Sequence, residues 1–170
     1  MTLTEVIVAM SLLSILAVST ISITFQIRST AEQAIYQNTA LTLAQGYMEQ
    51  IRHLDYTTLK AVSQNSSTPP SVALPLENAS GGAIVAVGGG TFGNGSWSNE
   101  SIYLDQNAAG QAIQRVPFEF RPVLTSLETV TSNVASGVEI VIFYRITYNF
   151  GVVRTINGSL RSVRSSVPTY

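Results

Sequence analysis

The sequence predicts an α+β fold, a long N-terminal α-helix spine followed by a C-terminal head built on an antiparallel β-sheet. Three observations predict it. Val6 to Ile27 carries no charged residue, and at 1.5 Å per residue that run makes roughly 33 Å of helix, enough to span a bilayer. Beyond it, Ile27, Ala31, Ala34, Leu41, Ala44, Met48 and Ile51 recur at helical spacings and mark one apolar face. The C-terminal third then changes period: "RVPFEFRPVL", "VEIVIFYRITYNF" and "GVVRTINGSLRSV" alternate or run apolar as strands do.

These signals divide the chain into an apolar helix over 1–27, an amphipathic helical half over 28–60, and a β-rich head over 61–170. No Gly or Pro interrupts the chain before Gly46, so one helix from near Met1 to about Leu54 is expected, roughly 80 Å long. Arg28 with Glu32, and Glu49 with His53, stand four apart on its exposed side. Its weakest stretch is "VSTISIT", Val18 to Thr24, rich in β-branched and hydroxyl residues of poor helix propensity. "QNSSTPPSVALPLENASGG" reads as an irregular connector, "AIVAV" as a short strand, and "GGGTFGNGS" as a surface turn. The last two strand runs, joined through Asn149-Phe150-Gly151, form a hairpin with Arg145, Arg154 and Arg161 able to face solvent. Laid against the amphipathic half of the helix, the sheet completes the head.

Composition excludes several functions. Net charge is −1 with 11% charged residues, so no basic surface recommends nucleic acid as a partner. The chain has no cysteine, hence no thiolate metal site or thiol nucleophile. Its single histidine, His53, reads as a solvated helix-end residue favoured by the C-terminal dipole. "GGGTFGNGS" lacks the Lys and Ser/Thr ending of a phosphate-binding loop. "DQNAAG", Asp105 to Gly110, offers one carboxylate where calcium gathers several oxygen ligands. No catalytic constellation, cofactor or metal is expected, and the chain is not expected to be an enzyme. Asn-x-Ser triplets at Asn65, Asn78, Asn94, Asn99 and Asn157 are candidate glycosylation sites.

The charge that demands explanation is Glu5, a carboxylate at the mouth of the apolar run. A secretory signal needs basic residues at its start, and none occurs between Met1 and Ile27. A plain membrane anchor leaves Glu5 unpaired in lipid, which costs several kcal/mol. A third reading makes Met1 a mature N-terminus whose α-amino group neutralises Glu5, within one chain or between staggered neighbours.

"MTLTEVIVAMSLLSILA" resembles the processed N-terminus of type IV pilins and of the pseudopilins of type II secretion systems. Thr2, Leu3 and Glu5 match that pattern, Met1 stands where Phe is frequent, and the detailed likeness covers about thirty residues. The resemblance implies leader cleavage by a prepilin peptidase, N-methylation of Met1, and assembly through Met1, Thr2 and Glu5. It further implies an assembly ATPase and an inner-membrane platform as partners, and self-association into a helical homopolymer. The chain would lie in the inner membrane before assembly, then in an extracellular filament or a periplasmic pseudopilus. Ser14 and Ser22 stand where many pilins carry Gly and Pro. "LAQGYMEQIRHLDY" also resembles the helix end of the minor-pilin branch.

Three roles follow. The chain is a structural subunit of a type IV pilus-like filament, a minor pilin or pseudopilin of a secretion or DNA-uptake machine, or a membrane-anchored surface binding module.

Overall fold

The computed structural model describes residues 2–65, 70–106, 112–127, 137–149 and 153–166, with side chains at all of these except 104–106 and 112–114. Two helices precede four strands: α1 (Leu3–His53), α2 (Tyr56–Gln64), β1 (Glu100–Gln106), β2 (Ala112–Ser126), β3 (Gly137–Asn149) and β4 (Val153–Ser165). The chain forms two compact units, residues 1–38 and residues 39–170.

Unit 1 is helical from Leu3 onward, and its apolar side chains from Val6 to Ile27 are exposed on every side. Ser11, Ser14, Ser19, Thr20, Ser22, Thr24 and Thr30 each donate a hydroxyl hydrogen bond to the carbonyl four residues earlier, at 2.7–3.1 Å. The hydroxyls are therefore satisfied inside the helix itself. "VSTISIT" is continuous helix here. Arg28 Nε donates to Glu32 Oε1 at 3.0 Å, the expected i,i+4 pair.

From Tyr36 onward the helix acquires a buried face. Ala40, Ala44, Tyr47, Met48 and Ile51 are buried, while Leu41 is half-buried. The expected face is present from Ala44 onward; Ile27, Ala31 and Ala34, in unit 1, are exposed. Tyr47 stacks on Phe120 at 4.2 Å between ring centroids and on Phe118 at 6.4 Å. The helix stops at His53 because Leu54 N–H turns back to the Ile51 carbonyl and Asp55 adopts an extended conformation, ψ 141°. Asp55 then precedes α2, which buries Leu59 and Val62.

The sheet is antiparallel throughout, in the order β1-β2-β3-β4. Val116, Phe118, Phe120 and Leu124 of β2, with Val138, Ile140, Ile142 and Ile146 of β3, form its core face. The opposite face carries Arg145 paired with Glu119 and Arg161 paired with Glu139. There Arg145 and Arg121 also lie over the Trp97 ring, at 4.2 and 5.3 Å from its centroid. The β3–β4 hairpin is the one expected from the sequence.

Two expectations are corrected. "AIVAV" is not a strand: it makes isolated bridges only, Glu77 with Ala83 and Ala86 with Ser98. Its backbone bonds go to successive different partners, Leu76, Gly90, Trp97 and Asn99, so no neighbour pairs along it. The Gly89 N–H bond to the Ala86 carbonyl closes a turn that places Gly88 at φ 87°, a conformation glycine adopts without steric cost. Conversely, Glu100–Gln106 is a strand where none was expected, paired with β2 through irregular register near Asp105. Of the "DQNAAG" stretch, residues 107–110 lie outside the described residues.

Candidate functional site

The residues singled out at the N-terminus meet in the first turn of α1. Glu5 Oε2 accepts a hydrogen bond from Thr2 N–H at 2.8 Å. The Thr2 carbonyl accepts from the N–H of Glu5 at 3.1 Å and of Val6 at 3.4 Å. Thr-x-x-Glu is the pattern of a capping box, in which the acidic side chain reaches back to the first free amide of the helix. Only that half is made: Thr2 Oγ1 lies 3.0 Å from Thr4 Oγ1 instead. Glu5 also places negative charge at the positive end of the helix dipole. Met1 lies outside the described residues.

Around this turn the surface is apolar. Leu3, Met10 and Leu13 are each about two-thirds exposed or more. Such an array is far from what a soluble monomer displays, and α1 is long and apolar enough to cross a membrane. Between Val6 and Phe25 the serine and threonine hydroxyls are bonded back onto the helix carbonyls, so Glu5 is the charged group at the mouth of this apolar stretch.

The five Asn-x-Ser positions fall in different settings. Asn99 and Asn157 are exposed. Asn65, after α2, donates to Ser71 Oγ at 2.5 Å. Asn78 Oδ1 accepts from Ser80 N–H at 3.0 Å and Gly82 N–H at 2.9 Å, closing a turn. Asn94 is structural in character: Oδ1 accepts from Leu124 N–H at 2.8 Å and Nδ2 donates to Leu124 O at 3.0 Å. A glycan on Asn94 Nδ2 would have to coexist with that clamp. Ser98 treats Phe120 the same way, its N–H donating to the carbonyl and its Oγ accepting from the amide, both at 2.8 Å. Together these two residues occupy the edge of β2 beyond the end of β1.

Two titrating groups flank the Tyr47 stack. Burial pushes the Tyr47 hydroxyl up to about 12, with the nearby Glu100 charge adding to the effect. Burial likewise raises the Glu100 carboxyl. At the start of α2 the Thr57 hydroxyl donates to the Asp55 carboxylate and holds it below the usual range, with the Arg164 charge contributing. His53 is exposed in the last turn of α1. Among the described residues no three His, Asp or Glu side chains converge as metal ligands would.

Sequence reasoning missed the Thr2–Glu5 cap, although its spacing was legible. It also missed the Asn94 and Ser98 clamps, for which nothing local in the sequence gives a signal. The long apolar N-terminal helix followed by an antiparallel sheet is a pilin-like architecture. No family model, no curated protein and no solved structure matches the chain.

Proposed function

We propose that this protein is the structural subunit of an extracellular type IV pilus-like filament. The observation that carries the reading is the first half of α1, apolar and exposed all round, bearing one carboxylate in its first turn. In a filament these helices bundle and bury Val6 to Ile27, which drives assembly. A buried carboxylate tolerates only positions where it is paired, so Glu5 sets register. Its added partner is the N-methylated Met1 amine of the processed chain, on its own helix or on a neighbour's. A prepilin peptidase, an assembly ATPase and an inner-membrane platform complete the machine, with the chain held in the inner membrane until it is extracted. The role is structural, not catalytic.

The test is filament yield in sheared surface fractions, read by electron microscopy with mass spectrometry of the main protein. Glu5→Ala and Glu5→Leu leave the precursor inserted and cleavable but impair filament growth; normal yield from either variant defeats the proposal. Intact mass of the filament protein shows Met1 first and carrying one methyl group. A second reading, a minor pilin or pseudopilin, is favoured by the helix end "LAQGYMEQIRHLDY". It predicts a trace component of the filament, or a periplasmic location.

A further inference from the structure

β4 is the last strand in the order of the sheet. β4 pairs with β3 over thirteen consecutive positions, Gly137↔Ser165 to Asn149↔Val153, with no register shift. Alternate residues of such a strand turn their N–H and C=O away from the partner. Among the described residues no backbone hydrogen bond reaches the outer side of Val153–Arg164, and side chains along it are largely exposed, Val153 at 64% and Val163 at 56%. The strand contains no proline and no bulge. Proteins ordinarily shorten, bend or cover an edge of this length, since it invites pairing with another chain.

Its charge narrows the occupant. β4 holds Arg154, Arg161 and Arg164 and no acidic residue, with Arg161 facing Glu139 and Arg164 near Asp55. Pairing β4 antiparallel with another β4, centred on Ser159, would set Arg154 directly opposite Arg164, a destabilising like-charge pair. The other edge of the same sheet has the opposite character. β1 holds Glu100 and Asp105 and no basic residue, although Arg115 of β2 leans over the Tyr103 ring.

Strand direction agrees with this match. Four antiparallel strands alternate, so β4 runs opposite to β1. A copy placed beside the first in the same orientation therefore presents its β1 antiparallel to β4, the more stable pairing.

We propose that β4 is an interaction surface for a second copy of this chain, whose β1 joins the sheet as a fifth strand. The contact is heterologous, one edge meeting a different edge, and each added copy presents its own β4 to the next; contacts of this kind propagate instead of closing into a dimer. It does not depend on helix bundling and goes beyond the assembly proposed above.

The chain has no cysteine, so introduced thiols report the contact directly. Ser101 of β1 pairs with Pro117, and Ser159 of β4 with Phe143, on the same outer face of the sheet. The full-length chain in detergent micelles, diluted with empty micelles, is treated with a short bis-maleimide. S101C+S159C yields a ladder of dimers, trimers and higher species, whereas S101C or S159C alone stays monomeric. Adding R154E to the double variant lowers ladder yield at least twofold. Equal dimer formation by S159C alone, or no ladder from the double variant, overturns the proposal. So does an R154E ladder undiminished in yield. Ladders without surface filaments would defeat the pilus reading and leave this contact standing; filaments without ladders would do the reverse.

Discussion

α1 is one helix held by two kinds of physics. In residues 39–53 it is anchored by tertiary contact: Ile51 and Ala44 are fully buried, and the Gln50 side-chain amide clamps the backbone of Glu77 from both sides, at 2.9 and 3.1 Å. In residues 3–28 the ladder is local, the hydroxyls fold back onto it, and apolar side chains such as Leu13 (69% exposed) await an environment. The same secondary structure thus stabilises a fold in one region and offers a surface in the other. Burial of an apolar side chain contributes on the order of 1.5–3 kcal/mol only where something covers it.

Mutations separate the two regions, and Trp97, the only tryptophan, reports on the head alone. The largest effect is expected at Phe120, fully buried between Tyr47 and Phe92. Phe120→Ala lowers head stability by about 3–5 kcal/mol, while Leu13→Ala leaves it within about 0.5 kcal/mol. Urea titration of the full chain in micelles, followed by Trp97 fluorescence, measures both. Similar losses from the two variants would collapse the distinction.

Next comes Asn94. Asn94→Ala strands the Leu124 amide and carbonyl and costs about 1–3 kcal/mol in the same titration. Gly158 follows: a Cβ there would lie 2.3 Å from the Tyr144 ring. The ring must shift to admit it, so Gly158→Ala costs about 1–3 kcal/mol, as overpacking does.

A smaller effect is the pH dependence of the head. The raised Glu100 carboxyl keeps a proton in the folded state that the unfolded chain has released, so stability falls as pH rises from the ordinary carboxylate range through the raised value. Glu100→Gln removes that slope. Asp55, held low by Thr57, has the opposite sign: its contribution is present above the ordinary carboxylate pKa and is lost as pH falls through the lowered value. Asp55→Asn flattens the acid limb, and urea midpoints measured across pH resolve the two.

The smallest effect sharpens the comparison from the other side. Replacing Ser19, Thr20, Ser22 and Thr24 by Ala adds helix propensity, at most about 0.7 kcal/mol each, and leaves Trp97 unfolding unmoved. In a filament pulled end to end it stiffens the segment; extension beginning at Gly46 instead would place the yielding point elsewhere.

Local chemistry sufficed for much of this structure. A charge-free run, a helical period, and strand runs punctuated by Asn149-Phe150-Gly151 each act over a few residues, so α1, β2, β3 and β4 were legible in the sequence. So was the Thr2-to-Glu5 spacing that caps the helix. What only the tertiary structure decided depends on partners distant along the chain. "AIVAV" looks like a strand, yet loops on every side take its hydrogen bonds one residue at a time. Glu100–Gln106 lacks a long apolar run but becomes a strand because β2 offers an unpaired edge. Tyr47 joins the buried face because β2 brings Phe118 and Phe120 to that side of the helix. Periodicity says that a face is apolar; which residues it finally buries is settled by the surface that arrives to cover it.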